Sequence, residues 1–183
     1  MYAPAVTDGV ASLEQEAPDP GEMRFRIERV TGRYPWLVAE LDGEVLGYAY
    51  ATVHNERAAY RWSTDTSVYV DATHQRRGIG RALYGALVPL LVRQGLYVAC
   101  AGITLPNEAS VALHESFGYR AVGTYERVGF KHGRWWAVGW WLAQLREQAD
   151  GETPAEPGLP VRLPAAAPSE PATRRRPPRA RAV

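Results

Sequence analysis

The chain has 183 residues, 46% of them apolar, a formal net charge of +1 and one cysteine, Cys100. That length and composition suit one domain with a full core, no apolar run approaches the ~20 residues needed to span a bilayer, and no basic-then-apolar leader opens the chain. An intrachain disulfide is excluded, and these features together point to a cytoplasmic protein with no membrane role.

Charge is unevenly placed. Residues 151–183 hold six Arg and three Glu against the whole-chain balance of +1, so the tail carries +3 and residues 1–150 carry −2. The folded part is therefore not a nucleic-acid binder by charge.

Residues 1–18 show no clear periodicity. Asp19-Pro20-Gly21-Glu22 reads as a helix start, with Asp19 as cap, Pro20 at the first helical position and Glu22 placed for a capping box. Met23, Ile27 and Val30 then share one face of a short helix that ends near Gly32. Trp36 to Leu41 and Val45 to Thr52 read as strands joined by the hairpin pair Asp42-Gly43. A polar loop, Val53 to Arg61, precedes a third strand from Trp62 to Val70, completing an antiparallel meander.

The stretch from Thr64 to Ala82 organises the rest. Ser67 to Val70 alternates as a strand, Asp71-Ala72-Thr73 breaks it, and Arg76-Arg77-Gly78-Ile79-Gly80-Arg81 leads into an apolar helix. A helix N-terminus offers unpaired N–H groups and the positive end of its dipole. Glycines at 78 and 80 would leave room for a phosphate with three arginines around it, although on the residues alone the segment reads equally as a plain turn with basic residues. The helix, from about Gly80 to Arg93, puts Leu83, Leu87, Leu90 and Leu91 on one face. Pro89, opposite the carbonyl of Gly85, predicts a kink, and Gly95 ends the helix. Tyr97 to Ile103 reads as a buried strand, completing a parallel crossover. After the turn Leu105-Pro106-Asn107, Glu108 to Phe117 reads as a short helix closed by Gly118. Tyr119 to Val128 and Arg134 to Leu142 follow as strands around a turn at 130–133. Tryptophans at 135, 136, 140 and 141 make both faces of the last strand apolar, which suits a central strand or a dimer interface.

Eight prolines, many alanines and the run Arg174-Arg175-Arg176-Pro177-Pro178-Arg179 fill residues 151–183. That composition predicts a disordered, solvated tail in preference to a nucleic-acid patch. His54, His74 and His132 lack metal-ligand spacing, so no metal is expected. Cys100 sits in an apolar strand with no activating partner, which argues against a covalent acyl-enzyme.

Four segments, RYPWLVAELDGEVLGYAYA, SVYVDATHQRRGIGRALY, ITLPNEASVALHESFGYRAVGTYERVGFKHG and RWWAVGWW, resemble the phosphinothricin N-acetyltransferase branch of the GNAT superfamily. The resemblance runs from Arg33 to Leu142. It implies the mixed α/β (α+β) GNAT fold, a mostly antiparallel sheet with a parallel crossover beside the CoA site. It also implies acetyl-CoA as acyl donor, a small amino-acid-like amine as acceptor, of the phosphinothricin or methionine sulfone/sulfoximine type, and a homodimer. Residue by residue, Val68, Tyr69 and Val70 would offer backbone groups to the pantetheine arm, Arg76, Arg77, Gly78, Ile79, Gly80 and Arg81 would hold the pyrophosphate, and Asn107 would bond the arm. Asp65 stands where the family has a catalytic glutamate, one methylene longer, and His114 where many members place a tyrosine acid.

On the residues alone, Asp65 also reads as a strand-edge carboxylate and His114 as a helix residue packed on the core. Arg57 and Tyr60, in the loop before the third strand, are expected to contact an acidic or sulfone-bearing acceptor or else to be solvated surface. The resemblance further implies that the family's first strand and most of its first helix are missing. Residues 1–18 would then be a remnant and linker, residues 19–149 the acetyltransferase domain and residues 150–183 the tail, with a sheet edge left uncovered. An impaired acyl-CoA-binding relative and a peptide N-acetyltransferase are the alternative readings.

Overall fold

The computed structural model describes residues 1–147, 158–162 and 179–182. Two helices open the chain, α1 (Ala3–Thr7) and α2 (Pro20–Thr31). Strands β1 (Trp36–Leu41), β2 (Glu44–Val53) and β3 (Ser63–Val70) follow, then α3 (Ile79–Gln94), β4 (Val98–Leu105) and α4 (Glu108–Glu115). Strands β5 (Arg120–Lys131), β6 (Arg134–Gln144) and β7 (Arg179–Ala182) complete one sheet, in the order β5-β6-β4-β3-β2-β1-β7. Every neighbouring pair is antiparallel except β3 and β4.

Local chemistry explains the boundaries. The Asp19 carboxylate accepts the Glu22 N–H at 2.8 Å and Pro20 occupies the first turn of α2, the capping expected from sequence. Both tight hairpins rest on residue pairs with positive φ, Asp42-Gly43 (52° and 83°) and His132-Gly133 (48° and 74°), which matches the twist of the strands they join. Helix α3 runs through Pro89 from Ile79 to Gln94.

Helix α3 lies on one face of the sheet and buries Ile79, Leu83, Tyr84, Leu87 and Leu91, each aliphatic side chain stabilising by roughly 1.5–3 kcal/mol. The approach is close at Gly47 on β2, where a Cβ would lie 3.1 Å from Ile79 Cγ2 and 3.0 Å from the Tyr69 carbonyl. The other face carries Trp36, Val38 and Tyr48, covered by Tyr2, Met23 and Ile27 from the N-terminal segment. That segment is fastened to the β5–β6 hairpin. Buried Lys131 donates to the Ser12 carbonyl at 2.6 Å, and Gln15 donates to the Phe130 carbonyl at 2.9 Å.

Two expectations change here. The tail was expected to be unstructured from residue 150, yet the Val161 N–H donates to the Gln94 carbonyl at 2.8 Å, Trp62 Nε1 donates to the Gly158 carbonyl at 2.9 Å, and residues 179–182 form β7 on β1. The outer edge of β1, expected to be bare, is thereby paired. Composition measures what side chains can bury, whereas each of these three contacts uses main-chain groups of the tail, which any sequence supplies. Residues 148–157, 163–178 and 183, including Arg174 to Pro178, lie outside the described residues.

Candidate active site

The site begins where β3 and β4 part. Their parallel register covers only Ser63↔Val98, Thr64↔Ala99 and Asp65↔Cys100. Beyond that point β3 stays paired to β2 as far as Val70, and β4 to β6 as far as Leu105. The facing edges of 66–70 and 101–105 thus diverge into a slot with unpaired backbone donors and acceptors. Thr66 closes its base, donating to the Cys100 carbonyl at 3.1 Å and sharing a 2.9 Å bond with the Tyr119 hydroxyl.

Asp65 lies at this fork. Because Thr52 pairs with Asp65 across the β2–β3 hairpin, the residues that follow β2 fold back beside it. His54 Nδ1 lies 2.7 Å from Asp65 Oδ1, with both side chains 28% exposed. Burial raises the Asp65 carboxyl above its ordinary range, and the His54 bond partly offsets this. The potential ligand atoms of His54, Asp65 and Cys100 fall within 4.8 Å of one another. Sequence spacing, which left His54 without a ligand role, did not anticipate that grouping. Burial, and then the charge of Asp65, push the Cys100 thiol up to about 11, so it is protonated and a poor nucleophile.

His114 is placed differently. It is 3% exposed, its Nε2 lies 2.7 Å from the Tyr84 hydroxyl and its Nδ1 lies 2.7 Å from the Ser110 carbonyl. A carbonyl only accepts, so Nδ1 carries the proton and Nε2 accepts from Tyr84. Burial lowers its pKa, more than the Ser110 bond raises it. His114 is therefore a neutral imidazole inside the core, in edge contact with the ring of Tyr119.

At the other end of the slot, the first turn of α3 is capped by Gly78 at φ 81°. Nothing lies within 4 Å of a Cβ built there, so the helix N-terminus is open and Arg76, Arg77 and Arg81 are exposed around it. This geometry fits an anionic phosphate. Gly80 also has a packing role, since its Cβ would meet Leu113 Cδ2 at 3.1 Å. It lets α4 pack on α3. Asn107 caps α4, its Oδ1 accepting from the Ser110 N–H at 3.1 Å, which leaves its amide NH₂ as the free donor. Beside it, Leu105, Asn107, Val111 and Ala112 line an open cavity of about 450 Å³.

The backbone of Val68, Tyr69 and Val70 lines the slot. Tyr60 is 42% exposed, with its ring 5.9 Å from that of His54, so it belongs to the surroundings of Asp65. Arg57 is exposed and starts the 3-10 turn that carries Tyr60. Tyr50 and Ser67, register partners, share the face of Asp65 with Trp36, Tyr48 and Tyr69.

Residues 7–119 match the family model described as the Acetyltransferase (GNAT) family. The chain belongs to the GNAT acetyltransferase family. Among curated GNAT relatives, the phosphinothricin N-acetyltransferase of Streptomyces viridochromogenes is 43% identical over 157 residues, covering 86% of this chain and 82% of the relative. The L-methionine sulfoximine/L-methionine sulfone acetyltransferase of Salmonella typhimurium is 39% identical over 116 residues, covering 63% and 68%. The crystal structure of a GNAT superfamily phosphinothricin acetyltransferase from Sinorhizobium meliloti in complex with AcCoA superposes with a TM-score of 0.75 at 34% identity, covering 84% of this chain and 86% of that one. The fold and the enzyme class expected from sequence are thus found.

Sequence reasoning missed His54, Thr66, Tyr84 and Tyr119. The one available signal was the hairpin register, which sets residues just after β2 against Asp65. Nothing in spacing links Tyr84, Tyr119 and His114.

Proposed function

We propose that this GNAT enzyme transfers the acetyl group of acetyl-CoA to the primary amine of a small amino-acid-like acceptor, of the phosphinothricin or methionine sulfone/sulfoximine type, by direct attack in a ternary complex. The observation that carries the reading is the slot between β3 and β4, with a helix N-terminus at one end and the Asp65 carboxylate at the other. The acceptor class is supported by the named activities of the relatives.

Acetyl-CoA supplies an activated thioester. The N–H groups of Ile79, Gly80 and Arg81, with the side chains of Arg76, Arg77 and Arg81, receive the pyrophosphate. The free edge at Val68, Tyr69 and Val70 adds the pantetheine arm as an extra strand would, and the Asn107 NH₂ donates to it. The Asp65 carboxylate, directly or through a group bonded to it, takes the proton that an amine carries at neutral pH. A thiolate leaves readily, since an ordinary thiol titrates at about 8.5, so no buried acid is required. His114 acts as a positioning residue for Tyr84, because both its nitrogens are engaged. Arg57 and Tyr60 lie where the side chain of an acceptor would extend. A protonated Cys100 favours direct transfer over an acyl-enzyme. We read the enzyme as a cytoplasmic homodimer, on the grounds of its buried free thiol and the exposed apolar face of β5 and β6.

The test is thiol release from acetyl-CoA, screened with phosphinothricin, methionine sulfone, methionine sulfoximine and a short peptide. Release that requires one of the small amines is the expected result. Release with the peptide alone would replace the acceptor class, and no release with any amine would overturn the reading.

A further inference from the structure

His54 was given no role by its sequence, yet it is the group bonded to Asp65. From this contact we infer that His54 is the proton acceptor of the transfer reaction, and that Asp65 positions and charges it. The inference rests on the acetyl-transfer reading above and specifies which atom receives the proton.

The tautomer follows from the partner. An ionised carboxylate can only accept, so at 2.7 Å from Asp65 Oδ1 the His54 Nδ1 is the protonated nitrogen. Nε2 then holds a lone pair, and among the described residues no hydrogen bond occupies it. This is how a carboxylate–imidazole pair prepares a base: one nitrogen is held, the other is presented. The contact is local and well defined, since His54 directly follows β2 and the register Val53↔Thr64 and Thr52↔Asp65 brings the two side chains together.

Among the described residues, three groups lie around the ring. Asp65 comes from β3, Cys100 from β4 and Tyr60 from the 3-10 turn at Ala58–Tyr60. The thiol is neutral because burial and Asp65 push it up to about 11, so Asp65 is the charge that faces the imidazole. With 28% exposure the pair is neither sealed in the core nor free in water. Imidazole is the side chain most often used as a general base.

The step balances as follows. The acceptor R–NH₃⁺ gives one proton to His54 Nε2, and Asp65 stabilises the imidazolium. The freed nitrogen pair forms the C–N bond to the acetyl carbon as the C–S bond breaks, its electron pair leaving on sulfur. A second proton leaves the nitrogen and ends on the sulfur as the thiol. The imidazolium returns its proton to solvent, so one proton is released for each amide formed.

The experiment compares wild type, His54→Ala, His54→Gln and Asp65→Asn. It uses steady-state rates, calorimetric titration of acetyl-CoA and added imidazole. Glutamine can still donate to Asp65 but is no base, so it separates structure from proton transfer. Both His54 variants are expected to lose kcat by about 10²-fold or more while binding acetyl-CoA as wild type does. His54→Ala alone should recover in proportion to the free base of imidazole, and Asp65→Asn should not. Wild-type kcat in either His54 variant, with Asp65→Asn inactive, would overturn the inference and return the proton to Asp65 while leaving the transfer reaction intact. Loss of kcat in His54→Ala without imidazole rescue, the protein still binding acetyl-CoA, would also overturn it. If wild type itself acetylates no amine, the reading of the reaction falls first.

Discussion

Asp65 and Cys100 form the last register pair between β3 and β4. Below them the strands are bonded to each other, and above them each keeps only its outer neighbour. A sheet that opens at one pair exposes backbone groups that would otherwise be satisfied, and an extended ligand can satisfy them. The carboxyl at the opening is also one that burial has made harder to ionise. The proposed binding groove and the proposed acid–base chemistry therefore originate at a single register position.

Asp65→Asn should lower kcat by at least about 10²-fold and raise thermal stability at pH 8. The sign follows from burial. The folded-state pKa of Asp65 lies above its ordinary value, so its contribution to stability is most favourable below the unfolded pKa and is lost as pH rises through the folded value. The asparagine variant escapes that loss. Melting curves should separate at pH 8 and converge near pH 3.5; no separation at pH 8 would refute the burial argument.

Acid should destabilise the fold through His114 before it acts through the carboxylates. Its folded-state pKa is depressed by burial, so between that value and about 6.5 the unfolded chain binds a proton that the folded chain does not. Stability is then lost as pH falls through this window. At Glu14, burial raises the pKa but hydrogen bonds from Arg26 and Tyr2 outweigh it, and the net shift is downward, which confines its effect to pH below about 4.5. Melting temperature should decline from pH 7 to pH 5 in wild type and flatten in His114→Asn. Equal slopes would show that His114 is accessible to protons.

Gly78→Ala should raise KM for acetyl-CoA and cost about 1 kcal/mol of stability, because φ is 81° where α3 begins and an alanine there is strained. Relaxation of the turn would also re-aim the first N–H groups of the helix. A variant with unchanged KM would place the pyrophosphate elsewhere.

Tyr125, Phe130 and Trp135 are 58%, 51% and 56% exposed on the β5–β6 hairpin. The proposed homodimer would bury these apolar side chains. Sedimentation of wild type should give a dimer, and Tyr125→Glu with Trp135→Glu should give a folded monomer. A wild-type monomer at micromolar concentration would remove the homodimer from the proposal.

Much of this was legible in advance where local chemistry decides. The Asp19 cap, the Asp42-Gly43 hairpin and the glycine-led entry to α3 are short-range features, and their residues announce them. The arginine-flanked helix start at one end of the slot belongs to that class. The Asp65 end does not, because His54 meets Asp65 through strand register and Tyr84 meets His114 through packing of α3 against α4. Gly80 was read as room for a phosphate, and its missing side chain also makes room for Leu113. A glycine in sequence says that something comes close, and only the fold says what.

The pairing of β7 with β1 orders events in time. Residues 37–40 emerge early in synthesis and find their outer partner only in residues 179–182. Until then the nascent sheet presents an open edge to every other unfolded chain nearby. Proteolysis that removes residues 179–182 would restore that exposure in the finished enzyme, so clipped preparations should cluster into higher-order species while the slot between β3 and β4, on the far side of β2, stays intact.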